Sequence, residues 1–589
     1  MVRRRFALGL LFLLSVVVRP AHSHELSEFE REVQERALEA FKLTLDPAPH
    51  AKIIEAIDVF VVEPFDERDP VPDFVNVLHV TSRDYVVKQE LALHVGEAFN
   101  HGRADDSLRN LRSTLKFSLV LVATAVGSAP DKIRVLVIVK DIWSLRLSWE
   151  AEVVNGRTVF KVTPTESNFL GTHTTLGGLY YLEPDRQTFG VTLFIPQVGP
   201  SNIGLVAMGG PILGRYSLEP EGGFGYFQYF KPLTSRYDKW AWSTGMGWRN
   251  EITRRYQGAG LRPFVVEHPD GSIEVIPEVY ETDRLAGEYQ LVRSFGTVNK
   301  ANLSVGMEAD RRRYRMSELT SASDAAREAF EREVVPTSDT RISPFVQLYA
   351  HDTAVHRLVN VQTLSLQEDL SLGHEVLLRL YPASTQFGSS RSLMGVAWGA
   401  GYAVPMGTGI AAASGGATIE LAKDNQNDVL FNAALSLISP DLGPGRVHLS
   451  AVAYDRYRNY LNAPPLVIGG ESRLRGYPYN QFQGEDLAAL SVEFRSVPIE
   501  LFGAHVGGVL FCDSGHAADS LEELSLKSSV GAGVRLLFPQ FDRIVFRLDL
   551  GVPLVTGYGP PVGLGFAFGQ AFTLPGIVEP NVLSGVIPQ

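Results

Sequence analysis

"DKWAWSTGMGWRN", residues 238–250, decides how the chain is read. On an extended strand Trp240, Trp242, Met246 and Trp248 fall on one face, while Ala241, Ser243, Gly245 and Gly247 fall on the other. Bulky apolar groups look one way, and the opposite face is small enough to leave space. "ALSVEFRSV", residues 489–497, repeats the alternation with charge, setting Leu490, Val492 and Phe494 against Ser491, Glu493 and Arg495. "IVFRLDLG", residues 544–551, sets Phe546, Leu548 and Leu550 against Arg547 and Asp549.

Two architectures accept such strands. A soluble β-sandwich turns the apolar face inward and the charged face to water. A transmembrane barrel inverts this, with apolar and aromatic residues toward lipid and charge toward a wet lumen, and it must close because unpaired backbone cannot face lipid. About twenty candidate strands lie between residues 144 and 572, aromatics cluster at their ends, and several connections are long, all of which favour the barrel. Residues 310–338 read as one strongly charged loop containing a short helix.

The rest of the chain fits an exported protein. Arg3, Arg4 and Arg5 precede an apolar stretch from Phe6 to Val18 and the small-residue site Ala21-His22-Ser23, so residues 1–23 read as a secretory signal. No cysteine follows that site, and no later apolar run is long enough for a spanning helix. The single cysteine, Cys512, excludes an internal disulfide and reads as a small buried hydrophobe on a strand. A net charge of -12 leaves no basic stripe for nucleic acid.

Residues 24–50 hold a helix and linker: Leu26, Phe29, Val33, Ala37 and Phe41 recur at helical spacing, and Asp46-Pro47-Ala48-Pro49 ends the run. The helix is expected to dock on the next domain. Residues 51–143 then give strand, helix, helix, strand, strand, with Asp105 and Asp106 as start signals of the second helix, a small α+β domain. The barrel is expected over 144–574, with a tail over 575–589. The fold class is therefore mostly β, a C-terminal transmembrane antiparallel barrel behind a small α+β domain.

Between late strands lies "GGESRLRGYPYNQF", residues 469–482, and five strand candidates follow it: 487–497, 505–513, 527–538, 543–551 and 562–572. The second of these runs into "FCDSG", residues 511–515, with Phe511 and Asp513 inside it and Gly515 just past it, and "ESNFLGTHTTLG" stands at 166–177 near the barrel's start. An Arg-Gly-aromatic loop before five final strands, a Phe-x-Asp-x-Gly strand and an Asn-aromatic-Leu-Gly step resemble the BamA/TamA superfamily of outer-membrane assembly and translocation barrels.

The resemblance implies one POTRA-like domain at 51–143, in the periplasm, and a bacterial outer-membrane barrel of sixteen strands, fewer than the count above. It implies that the loop folds into the lumen. Arg475 then leaves bulk water and needs carboxylate partners, Glu493, Asp513 or both. Gly476 lets the backbone turn closely and Tyr477 packs against the wall. It also implies a weak seam between residues near 144–153 and the last strand, where Gly563 and Gly565 weaken pairing or relieve crowding in the lumen. On that strand Phe566, Phe568 and Phe572 are expected on one face.

The expected activity is insertion or translocation of unfolded outer-membrane or secreted client proteins through that seam, in contact with outer-membrane lipids. Clients would pair with a POTRA sheet edge, and periplasmic chaperones or accessory proteins are candidate partners. No cofactor or metal is required. A passive or substrate-specific pore is the alternative. An outer-membrane enzyme is the least favoured reading, because the chain has neither a Gly-x-Ser-x-Gly elbow nor a His-Glu-x-x-His pair.

Overall fold

The computed structural model describes residue 26 and residues 28–587, apart from 66–72, 155–156, 200, 258–259, 318–320, 471–472, 542 and 578. The expected signal at 1–23 lies outside the described residues.

A small α+β unit comes first: α1 (Glu28–Phe41), β1 (Ile53–Val62), α2 (Asp84–Gln89), α3 (His101–Ser113), β2 (Phe117–Val126) and β3 (Lys132–Asp141). The sheet order is β1-β3-β2, with β1 parallel and β2 antiparallel to β3. The central strand is apolar on both faces. Val135, Val137 and Val139 pack with Val87, Leu91 and Leu111 on the α2–α3 side, and Leu136 and Ile138 meet Val33 and Ala37 of α1 on the other. The expected start of α3 at Asp105-Asp106 is displaced. The helix begins at His101, where the Asn100 side chain accepts from the Arg103 N–H, and Asp106 is buried mid-helix for a reason given below.

From Leu145–Val154 to Gly563–Phe568, twenty antiparallel wall strands among the described residues form one closed barrel. Strand Asp486–Ser496 resumes as Ile499–Leu501 on the same neighbour, Ala504–Ala518. The sixteen strands implied by the resemblance are therefore corrected to twenty: between residues 240 and 459 nine segments, from Trp240–Arg254 to Gly445–Asn459, pair in successive antiparallel ladders as wall strands, while the short hairpins among them stay outside the wall. Trp240, Met246, Trp248, Leu490 and Val492 are exposed on the outer surface, whereas Ser491, Glu493 and Asp549 are buried inside. Charge inside and grease outside is the arrangement of a membrane barrel.

Three further readings change. The charged loop begins later than expected, because residues 310–316 belong to strand Asn299–Met316, paired with Val279–Phe295; among the described loop residues only Asp324–Glu333 is helical, and its Phe330 packs on Phe264 and Ile276. Cys512 is not buried: it sits on the outward face between lumenal Phe511 and Asp513. The last strand ends at Phe568 rather than Phe572, since Gly569 turns the chain at φ +92°. Phe566 and Phe568 meet Trp149, but Phe572 is buried elsewhere, beside His448.

Barrels of sixteen to eighteen strands already enclose an aqueous channel, so twenty strands leave a lumen that must be filled or stay open. Here two pieces of the chain itself enter it.

Candidate functional site

The first piece is the loop between strands Gly445–Asn459 and Asp486–Ser496. It folds back as a short hairpin, Leu466–Ile468 against Phe482–Gly484, and carries Arg475 to the inner wall. The Arg475 guanidinium donates from Nε to Asp513 Oδ2 at 2.8 Å and from Nη2 to Asp513 Oδ1 at 2.9 Å, a bidentate pair. Its Nη1 donates to Glu493 Oε1 at 2.7 Å and to Asp549 Oδ2 at 3.3 Å, and its backbone N–H also donates to Asp513. The guanidinium lies 3.5 Å from the Phe511 ring centroid and 5.4 Å from that of Phe572. Burial disfavours the charge, but the hydrogen bonds to Asp513 and the fields of Glu493, Asp513 and Asp549 outweigh it and push the Arg475 pKa up.

The cluster extends along the wall. Arg495 donates twice to Glu493 Oε2, Arg535 donates to both oxygens of Asp549, Arg547 donates to Asp549, and Ser491 donates to Asp513. Four guanidiniums thus face three carboxylates on adjacent strands. Asp513 differs from the others, since Arg475 is its one arginine partner in the cluster, whereas Glu493 and Asp549 each keep another.

Backbone packing fixes the loop as tightly as charge. Gly476 adopts φ +94° against the wall, and a Cβ on it would stand 2.8 Å from the Gly551 carbonyl carbon. A Cβ on Gly551 would meet Gly476 N at 2.7 Å, and one on Gly563 would meet Gly476 Cα at 2.8 Å. Gly563 therefore clears space for the loop, the crowding role rather than the seam role. Tyr477 is buried, donates to the Ser528 carbonyl at 3.0 Å and packs on Phe482 and Tyr558.

The junction of first and last strands is short. Gly565 pairs with Glu152 and Phe566 with Ala151, whereas the ladder on the other side of the first strand runs from Leu145↔Glu166 to Val154↔Arg157. On the outer surface Trp149 packs against Phe546 and Phe566, with ring centroids 5.4 and 5.8 Å away.

The mouth beneath the small unit holds a second buried cluster. Asp141 accepts from Ser82 N–H at 2.7 Å and from Ser82 Oγ at 2.9 Å, and pairs with His79 Nε2 at 3.1 Å. Ser82 Oγ also lies 3.0 Å from Nε2 of His173, in the turn between strands Arg157–Phe169 and Thr174–Leu182. That turn is the Asn-Phe-Leu-Gly step: Asn168 donates to the Val80 carbonyl, and the Gly171 carbonyl accepts from Arg83 N–H. Lys116 donates to the His173 carbonyl. Burial, aided by the Lys116 charge, brings the His173 pKa down to about 3, and burial brings Lys116 down to about 7. Asp106 joins the units at another turn, accepting from Ser235 Oγ, Arg236 N–H and Arg236 Nε, which explains its burial in α3.

Of the residues singled out from sequence, Arg475, Gly476, Tyr477, Glu493, Asp513 and Gly563 meet at one place, and Phe572 joins them from beyond the last strand. Gly565, Phe566 and Phe568 lie at the junction instead. Asp549, Arg535, Arg495 and Ser491 complete the cluster, although the sequence reading gave none of them as a partner of Arg475. Their signal lay in the polar face of the late strands.

These features define a large transmembrane barrel whose wall is locked to its own infolded loop. No family model and no curated protein matches the sequence. Among solved structures the chain is similar to BamA from Haemophilus ducreyi lacking POTRA domains 1–3, at 11% identity over 87% of this chain and 84% of that one, with a TM-score of 0.36. It is similar to CdiB from Acinetobacter baumannii at 10% identity, covering 92% and 81%, with a TM-score of 0.44. CdiB from Escherichia coli matches at 10% identity, covering 89% and 79%, with a TM-score of 0.46.

Proposed function

We propose that the protein is a bacterial outer-membrane assembly or translocation factor of the BamA/TamA type, working without a cofactor and without a catalytic step of its own. Unfolded outer-membrane or secreted clients would pair with the strand edge at the junction of Leu145–Val154 and Gly563–Phe568 and pass into or across the membrane there. The observation that carries this reading is the short junction beside a heavily bonded loop: the first and last strands share two register pairs, while the late strands next to them are tied through Arg475 to Glu493, Asp513 and Asp549. The small unit would be a periplasmic POTRA-like domain. From Ala56 to Val62 the edge strand β1 pairs only with β3 among the described residues, leaving its outer edge open to a client strand.

A steady pore fits less well, because the loop and the segment after the last strand both occupy the lumen. Reconstitution into liposomes tests the choice, measuring insertion of an unfolded barrel client alongside ion conductance. The reading predicts catalysed insertion by the wild type with little conductance, and reduced insertion by Arg475→Ala. Client insertion absent in both proteins, alongside an open conductance, would establish a pore instead.

A further inference from the structure

The second lumenal piece is the segment after the last strand. It leaves Gly569 at the mouth beneath the small unit and crosses the inner wall transverse to the strands. Wall side chains read its backbone in order. Ser414 donates to the Gly576 carbonyl at 3.2 Å, and Glu375 accepts from the Ile577 N–H at 2.9 Å. Arg379 then donates to the Pro580 carbonyl, Arg284 to the Val582 carbonyl at 2.9 Å, and Arg249 to the Ile587 carbonyl at 3.2 Å.

The segment's aliphatic side chains enter hollows made by missing wall side chains. A Cβ on Gly399 would stand 1.8 Å from Ile577 Cγ2, one on Gly245 2.7 Å from Leu583 Cδ1, and one on Gly247 2.3 Å from Val586 Cγ2. Gly245 and Gly247 belong to the small face of "DKWAWSTGMGWRN", so the space on that face is occupied by this segment. Main-chain recognition combined with shallow apolar hollows lets a site hold a peptide with tolerance for sequence.

We propose that this strip of the inner wall, from strand Gly409–Ala422 to strand Trp240–Arg254, is a binding track for an apolar polypeptide that offers its main-chain carbonyls, and that the described residues of 574–587, irregular to Asn581 and a tight turn over Ser584–Val586, are its resident, displaceable occupant. The track is distinct from the Arg475 cluster, and its peptide affinity does not depend on whether the seam opens.

The test uses the full chain carrying Ile577→Asp, Leu583→Asp and Val586→Asp, which unseats the segment while leaving the wall intact. A fluorescein-labelled synthetic peptide of residues 574–587 is titrated into the detergent-solubilised protein, and heat-modifiable gel migration establishes that each variant is folded. The peptide is expected to bind the triple variant at least tenfold more tightly than the wild type, whose track is occupied. Adding Gly247→Leu to the triple variant is expected to weaken that binding at least tenfold, as is placing the same three Asp substitutions in the peptide. Equal binding to the wild type and the folded triple variant, or indifference to both Gly247→Leu and the Asp peptide, would overturn the proposal.

Discussion

Arg475→Ala removes the one arginine that pairs with Asp513 in the cluster while leaving Arg495 on Glu493 and Arg535 and Arg547 on Asp549. The damage therefore concentrates on a fully buried carboxylate left with Ser491 as its remaining side-chain hydrogen-bond donor in the cluster. Breaking a buried pair by removing one partner costs about 3–5 kcal/mol, mostly through the stranded charge. At about 1.4 kcal/mol per factor of ten, the opening constant of the loop rises by about two to three and a half orders of magnitude. Amide hydrogen exchange over residues 473–482 reads that constant directly. Because the cost lies with Asp513, Asp513→Asn on top of Arg475→Ala is expected to recover part of it, about 1–3 kcal/mol. Wild-type protection in Arg475→Ala, or a double variant that loses the sum of both single losses, would refute the assignment.

Other outcomes follow from the same geometry. Gly551→Val drives a side chain into the Gly476 backbone and is expected to lower loop protection by about 1–3 kcal/mol, with the same exchange measurement as the check. His173 is held neutral in the docked joint with its pKa at about 3, while its ordinary value is 6.5. As pH falls below 6.5 the undocked state takes up a proton on His173 that the docked state refuses, so the His173 contribution is fully present above that value and docking weakens by about 2 kcal/mol between pH 7 and 5, while the depressed Lys116 acts chiefly above pH 7. Limited proteolysis around residue 143 across that range is the measurement, and a flat profile would contradict it. Cys512 faces outward, so in lipid vesicles it should resist a charged thiol reagent and react with it once the protein is unfolded in denaturant.

Alternation made the barrel legible because period two is imposed by the strand itself, and the polar face of 489–497 is enough to place Glu493 inside. The direction of Asp513 was not legible from its own strand, where Phe511 and Asp513 share the inward face and Cys512 looks out to lipid. Phe572 kept the spacing of Phe566 and Phe568 in the sequence, but a left-handed turn at Gly569 cancels that periodicity. Strand number was better counted from the alternation than taken from the resemblance, which implied sixteen. The tail was legible as a segment beyond the barrel, but its path through the lumen was not: interrupted by Pro575 and Pro580, it has neither helical nor strand period, and its partners include glycines and arginines more than 150 residues away.

A reversible lock across the junction of first and last strands decides whether clients enter there. Ala151 and Phe566 are register partners, so Ala151→Cys with Phe566→Cys in a Cys512→Ala background places a disulfide across the seam. Insertion of an unfolded eight-stranded barrel client into liposomes should fall to the uncatalysed rate when the pair is oxidised and recover on reduction. Equal rates in the oxidised and reduced protein would mean that the junction stays closed while clients insert.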